Sequence, residues 1–178
     1  MTDTTLDLEK MFHDEHERAK KSRAGDGYKD ESFLPHAIVV DPEGKIIMIA
    51  CPFNNNSEKA MAMQYIWMTA KKEKAIAVFF SSDSRQIENK TYCAHYGIPL
   101  DAFEDHYNRT LRELGGSFAN LPREVWNNSL VTWAVRPGLP DGTLTTVYKE
   151  GPDDTVVFEA TVDNKDNKVN QHMMPQWW

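Results

Sequence analysis

The chain has 178 residues, a net charge of −7, two cysteines and 40% hydrophobic residues. That length suits one globular domain with appended segments, burying roughly 70% of its unfolded surface, so stability requires neither a metal nor a disulfide. Two cysteines exclude a disulfide scaffold, and the apolar runs fall short of the ~20 residues of a membrane span.

The acidity sits at the two ends. Residues 1–32 hold nine acids and six bases, residues 150–178 hold six and two, and residues 33–149 hold twelve of each. A phosphate backbone is bound through counterion release by Lys and Arg, so this distribution speaks against nucleic acid as a partner. The opening MTDTTLDLEK has no basic run leading into an apolar one, so no signal peptide is expected.

Residues 1–32 read as an N-terminal arm. A helix is predicted from Thr5 to Ala24, supported by Asp14–Arg18 and Glu17–Lys21 at i, i+4 spacing and broken at Gly25-Asp26-Gly27. Its apolar residues, Leu8, Met11, Phe12 and Ala19, are too few for a core. A solvated leader is expected, with a partner-binding arm as the second reading.

A hairpin follows. HAIVV and KIIMIA are β-branched runs, and the DPEG between them is a turn with Pro second and Gly last. Nearly continuous apolar runs predict strands covered on both faces or central in the sheet. Asn55 and Glu58 then have capping-box spacing for a helix running to about Lys74. Ala60, Met61, Ala62, Met63, Tyr65, Ile66, Trp67, Met68 and Ala70 wrap almost its whole circumference. Such a helix needs cover on more than one side. AIAVFF is the third strand, and the strand–helix–strand crossover predicts that strands two and three are parallel.

From Arg85 to Leu114 two helices are predicted, the first ending at Gly97 and the second capped by Asp101, with Phe103, Tyr107, Leu111 and Leu114 as its apolar stripe. Gly115-Gly116 stop it. A strand meander then starts in LPREVWNNSLVTWAVRPG and continues through TLTTVYKE and TVVFEATV, with Val156, Phe158, Ala160 and Val162 expected on one face. Residues 163–178 form a tail: a polar spacer, then Met173, Met174, Pro175, Trp177 and Trp178. Met and Trp are typical interface anchors, so Met173, Met174, Trp177 and Trp178, with Trp67 of the apolar helix, are the candidate interaction residues.

The candidate ligand site is the corner after strand three, Ser81–Arg85, with Ser82, Asp83 and Arg85 as its polar groups. In an open sheet, ligands bind beyond the carboxyl ends of such strands, and a helix N-terminus there suits an anion. The competing reading is that Asp83 or Ser84 simply caps the next helix. His36, Cys51, Cys93 and His95 are metal-ligand types, but their spacing matches no metal motif, and Cys93-x-His95 splits across a helix. His13 and His16, with Glu9 and Glu17, offer at most a weak divalent site. Neither metal nor cofactor is expected. No Gly-x-Ser-x-Gly is present. Residues 89–111 can be laid on a helix-turn-helix with Gly97 in the turn, but Asp101, Glu104 and Asp105 would repel phosphates where bases are read.

The order strand, Asp-Pro-x-Gly turn, strand, apolar helix and AVFF strand, followed by Leu121-Pro122-Arg123-Glu124-Val125 before the late strands, resembles small uncharacterised α/β proteins of bacteria and their phages over residues 36–162. That resemblance implies a fold and no activity.

The expected architecture is an α+β domain over 33–162: a mixed sheet of about six strands made from the hairpin, the crossover helix and third strand, and a C-terminal antiparallel meander, with helices on one face. The expected function is a non-catalytic protein–protein interaction or assembly protein, phage-related and acting on a protein partner or as a homo-oligomer. The alternative is a small enzyme or anion-binding regulator using Ser81–Arg85. A cytoplasmic location is expected, the host's if the protein is phage-encoded.

Overall fold

The computed structural model describes residues 6–25, 33–53, 56–116, 120–136, 141–151 and 155–165. In chain order the elements are α1 (Leu8–Arg23), β1 (His36–Val40), β2 (Ile46–Ala50), α2 (Asn56–Lys72), β3 (Ala77–Ile87), α3 (Asn89–Tyr96), α4 (Phe103–Glu113), β4 (Trp126–Val135), β5 (Gly142–Glu150) and β6 (Val156–Lys165), with short 3-10 turns at Leu100–Ala102 and Arg123–Val125. They form the expected α+β fold, with six strands in the order β2-β1-β3-β4-β5-β6.

The pairing differs from the mixed sheet expected, because the sheet is antiparallel. β1 lies between β2 and β3 and runs antiparallel to both. β2 and β3 therefore point the same way, as the crossover rule requires, but they are not neighbours.

Contacts divide the chain into two compact units. One comprises residues 1–83 and 130–178, and the other Ser84–Ser129. The last strand extends past residue 162 to Lys165.

The first unit buries the sheet on both faces. Ala37 and Val39 of β1 pack with Met63, Ile66 and Ala70 of α2, with Ile49, Val78, Phe80 and with Val131, Trp133 and Val135 of β4. The alternate residues Ile38 and Val40 pack with Phe12 of α1, Ala77, Phe79, Ala134 and Leu144. That two-sided cover explains the unbroken apolar run of β1. β2 is an edge strand, and its Ile46 and Met48 stay exposed. The turn between them is as predicted: Gly44 has φ +82°, and the Asp41 carboxylate accepts from the Glu43 and Lys45 amides at 2.9 and 2.8 Å.

Two expectations change here. Helices were expected on one face, and α1 was expected to be a solvated leader. Instead α1 docks on the face opposite α2, with Phe12 1% exposed and stacked on Phe79 at 5.8 Å. Asp7 caps it by accepting from the Lys10 amide at 2.9 Å. Its inward positions Phe12, Glu15, His16 and Ala19 follow i, i+3, i+4 spacing but include two ionisable groups.

The last strand also departs from simple alternation. Thr146 pairs with Thr161 and Tyr148 with Phe158, so β6 carries one extra residue between these pairs. A bulge of this kind changes which face later side chains take. Phe158 and Thr161 face α1, whereas Val162, opposite Thr145, faces the other side. Val156, Phe158 and Val162 therefore do not share a face.

The second unit has its own core. Tyr92 of α3 is fully buried with Leu121 and Val125, and Phe103, Tyr107, Leu111 and Leu114 of α4 pack on it. Gly97 ends α3 at φ 64°, as expected. Asp101, however, lies in the 3-10 turn before α4, and no side chain caps that helix.

Candidate functional site

Ser82, Asp83 and Arg85 are not on a corner. β3 stays extended to Ile87, and α3 begins only at Asn89. Neighbours in a strand project to opposite faces, so Ser82 and Asp83 diverge. Ser82 is buried, while Asp83 turns to the α1 face and meets Arg23 Nε at 3.2 Å. Arg85 belongs to the second unit and lies over the Trp126 ring at 5.9 Å. The competing reading fails as well, because neither Asp83 nor Ser84 caps a helix.

Beneath α1 runs a feature that sequence reasoning missed. One polar residue from each of five strands lines up across the sheet: His36 (β1), Ser81 (β3), Thr132 (β4), Thr146 (β5) and Thr161 (β6). His36 and Ser81 are register partners, as are Thr146 and Thr161. Glu15 and His16 of α1 thread this row into one hydrogen-bonded chain. Ser81 Oγ donates to Glu15 Oε1 at 3.1 Å and lies 2.9 Å from Thr132 Oγ1. Thr132 Oγ1 is 2.8 Å from His16 Nδ1, and His16 Nε2 is 2.8 Å from Thr146 Oγ1. Thr146 Oγ1 is 2.7 Å from Thr161 Oγ1.

Each hydroxyl has one proton, so a single assignment propagates along the chain. Ser81 gives its proton to the Glu15 carboxylate and must accept from Thr132. Thr132 then accepts from His16 Nδ1–H, and His16 Nε2 accepts from Thr146, which accepts from Thr161. Every proton points toward Glu15, and His16 is held as the Nδ1–H tautomer. Burial, reinforced by the Lys20 charge, pushes its pKa down to about 4, so the ring stays neutral.

At the other end Glu15 meets Arg18 and His36. Arg18 donates through Nε at 2.8 Å and Nη2 at 3.0 Å. His36 Nε2 lies 2.7 Å from Glu15 Oε1 and 2.8 Å from Arg18 Nη2, while its Nδ1 donates to the Leu34 carbonyl at 2.9 Å. A doubly protonated ring donates Nε2–H to Glu15, and a neutral one accepts from Arg18. Burial alone would raise the Glu15 pKa, but hydrogen bonds from His36 and Arg18 outweigh it and the net direction is down.

Glu15, His36 and Ser81 have the residue types of a nucleophilic triad without its geometry. Ser81 hydrogen-bonds a carboxylate and a threonine, its cross-strand neighbour His36 is turned to Glu15 instead of to the serine hydroxyl, and the serine is 0% exposed. A second polar cluster closes the end of α1. Arg23 Nε donates to Tyr148 Oη at 3.1 Å, its guanidinium stacks over the Tyr148 ring at 4.7 Å, and it pairs with Asp83 and Glu150. Burial pushes Tyr148 up to about 12 and raises Asp83 against the pull of Arg23. Two carboxylates thus answer this guanidinium.

For a cation, the grouping among the described residues is Glu9, His13 and Asp163, all exposed, with ligand atoms within 4.8 Å of one another. Arg136 already pairs with Glu9. His36, Cys51, Cys93 and His95 take no part in it. Cys51 is a buried thiol pushed up to about 11 by burial.

The candidate interaction residues separate. Trp67 is half-buried against the α2 core, with Lys71 Nζ 5.3 Å from its ring centroid. Met173, Met174, Trp177 and Trp178 lie outside the described residues, as does Asn55 of the expected capping box. The apolar side chains of α2 that face solvent are instead Met61, Tyr65 and Met68, at 62, 59 and 55% exposure. At 100° per residue these three centre roughly opposite Met63, Ile66 and Ala70. No described helix is long and apolar enough to cross a membrane. Comparison with known proteins found no matching family model, curated protein or solved structure.

Proposed function

We propose that this chain is a non-catalytic interaction or assembly protein whose partner is another protein, a second copy included, in the bacterial or phage setting that the resemblance implies. One observation carries the reading. α2 presents Met61, Tyr65 and Met68 to solvent on the face opposite its buried one. Covering a large apolar side chain is worth about 1.5–3 kcal/mol, so a partner surface over this stripe has a ready driving force. The tail residues Met173, Met174, Trp177 and Trp178 suit the same role by composition. The alternative, a small enzyme or anion-binding regulator at Ser81–Arg85, has less support. Ser81 is buried, and the nearest guanidinium to Asp83, Arg23, is shared by two carboxylates.

The test uses two variants of the full chain, the double substitution Met61→Glu/Met68→Glu and a deletion of residues 171–178. Light scattering and pull-down of a bound partner are expected to report lower mass or weaker binding for at least one. Thermal unfolding of the double substitution should be little changed, because both positions are exposed. Unchanged mass and binding in both variants would overturn the proposal.

A further inference from the structure

We infer that the outward stripe of α2 binds the same stripe on a second copy of this chain, the two helices lying antiparallel about Tyr65. The inference rests on the assembly reading and adds the partner and its orientation. Glu58, Met61, Tyr65, Met68 and Lys72 are spaced 3, 4, 3 and 4 residues apart. On a helix these positions fall within an arc of about 80°, the two-heptad pattern of a helix–helix seam.

The charges choose the occupant and its direction. Glu58 stands in the first turn of α2 and Lys72 in the last. A parallel second copy would set Glu58 against Glu58 and Lys72 against Lys72. An antiparallel one sets each Glu58 against the partner's Lys72, brings Met61 within one residue of the level of the partner's Met68, about 1.5 Å of rise, and leaves Tyr65 on the two-fold axis. The sequence 58–72 is thus complementary to its own reversal, as an isologous two-fold contact requires. Opposed helix dipoles favour the same orientation. A partner of different sequence would need no such symmetry about residue 65.

The seam is short. α2 has 17 residues, which is about 25 Å of helix. It buries less than the ~800 Å² per partner of a standard interface, so the dimer should be concentration-dependent, with a dissociation constant on the order of micromolar.

Sedimentation equilibrium of the full chain between about 1 and 300 μM tests this, together with charge exchange and cross-linking. The chain is expected to move from 20.4 kDa toward twice that mass. Glu58→Lys alone and Lys72→Glu alone should each weaken dimerisation by on the order of tenfold, since every dimer holds two such contacts and each is turned from attraction to repulsion. The double variant Glu58→Lys/Lys72→Glu should restore it. Tyr65→Cys, at the axis, should give a disulfide-linked dimer on mild oxidation, faster than Ser57→Cys, which lies off it. A chain that stays monomeric at the highest concentration, or a double variant no better than the singles, overturns the inference. A monomeric chain that loses a different protein partner in Met61→Glu/Met68→Glu overturns it while leaving the assembly reading standing. Loss of neither mass nor partner in that variant and the tail deletion removes both.

Discussion

Replacing His16 with Gln tests the hydrogen-bonded row most directly, through the pH dependence of folding. In the fold His16 is neutral, with its pKa pushed from 6.5 down to about 4. The unfolded chain takes up the proton as pH falls through 6.5, whereas the folded chain resists until about 4. Stability is therefore full above pH 6.5 and falls between 6.5 and 4. A shift of one unit corresponds to about 1.4 kcal/mol, so the loss approaches about 3 kcal/mol at pH 4 and is between about 2 and 3 kcal/mol at pH 4.5. Glu15 contributes stability that is lost only below its ordinary value of 4.5, and the raised Asp83 acts with the opposite sign near the acid end. Taking the difference between wild type and His16→Gln cancels both. Urea unfolding at pH 7.5, 6, 5 and 4.5 measures it. The wild type should start more stable, because Gln does not reproduce both ring contacts, and its advantage should shrink by at least about 2 kcal/mol by pH 4.5. A difference that stays flat across this range would refute the buried neutral ring and the proton order built on it.

Two further outcomes follow from the same face of the sheet. Phe12→Ala empties the contact with Phe79 and should cost about 3–5 kcal/mol by denaturant unfolding, a loss that a solvated leader would not give. Ser81→Ala removes a donor to Glu15 and a partner of Thr132, for about 1–3 kcal/mol. Hydrogen exchange in that variant should rise in α1 before it rises in β1, and an unchanged α1 would argue that the row does not hold the helix.

What was legible in the sequence is what local chemistry decides. DPEG closed the hairpin, the four apolar residues Ala37, Ile38, Val39 and Val40 of β1 announced two covered faces, and Gly97 ended α3 where a left-handed residue was needed. α1 was misjudged because its inward face carries Glu15 and His16, which look solvent-bound until their partners are seen. The partners of His16, Thr132 and Thr146, lie 116 and 130 residues away, and Glu15 bonds His36 and Ser81 at separations of 21 and 66, beyond the reach of any periodicity. Ser81–Arg85 read as a corner for the same reason. Its serines and aspartate alternate properly for a strand, but the side chains that satisfy Ser81 and Asp83 come from α1. The bulge in β6 leaves no mark in composition. The outward stripe of α2 was foreseen in outline as a helix apolar all round, yet Trp67, its most conspicuous residue, is partly occupied by its own core.

The long reach of α1 has a consequence for synthesis. α1 leaves the ribosome before any of the strands, but its last hydroxyl partner in the row, Thr161 through Thr146, is made some 145 residues later. At 5–20 residues per second that is an interval of about 7–30 s. Throughout it the sheet beneath the helix is incomplete. An inward face of phenylalanines and leucines would stick to any nascent strand nearby. A face that mixes Phe12 with Glu15 and His16 stays hydrated until the five-strand row exists to accept it. The polar residues that hide the docking site from a reader of the sequence would also delay docking until β6 has been made.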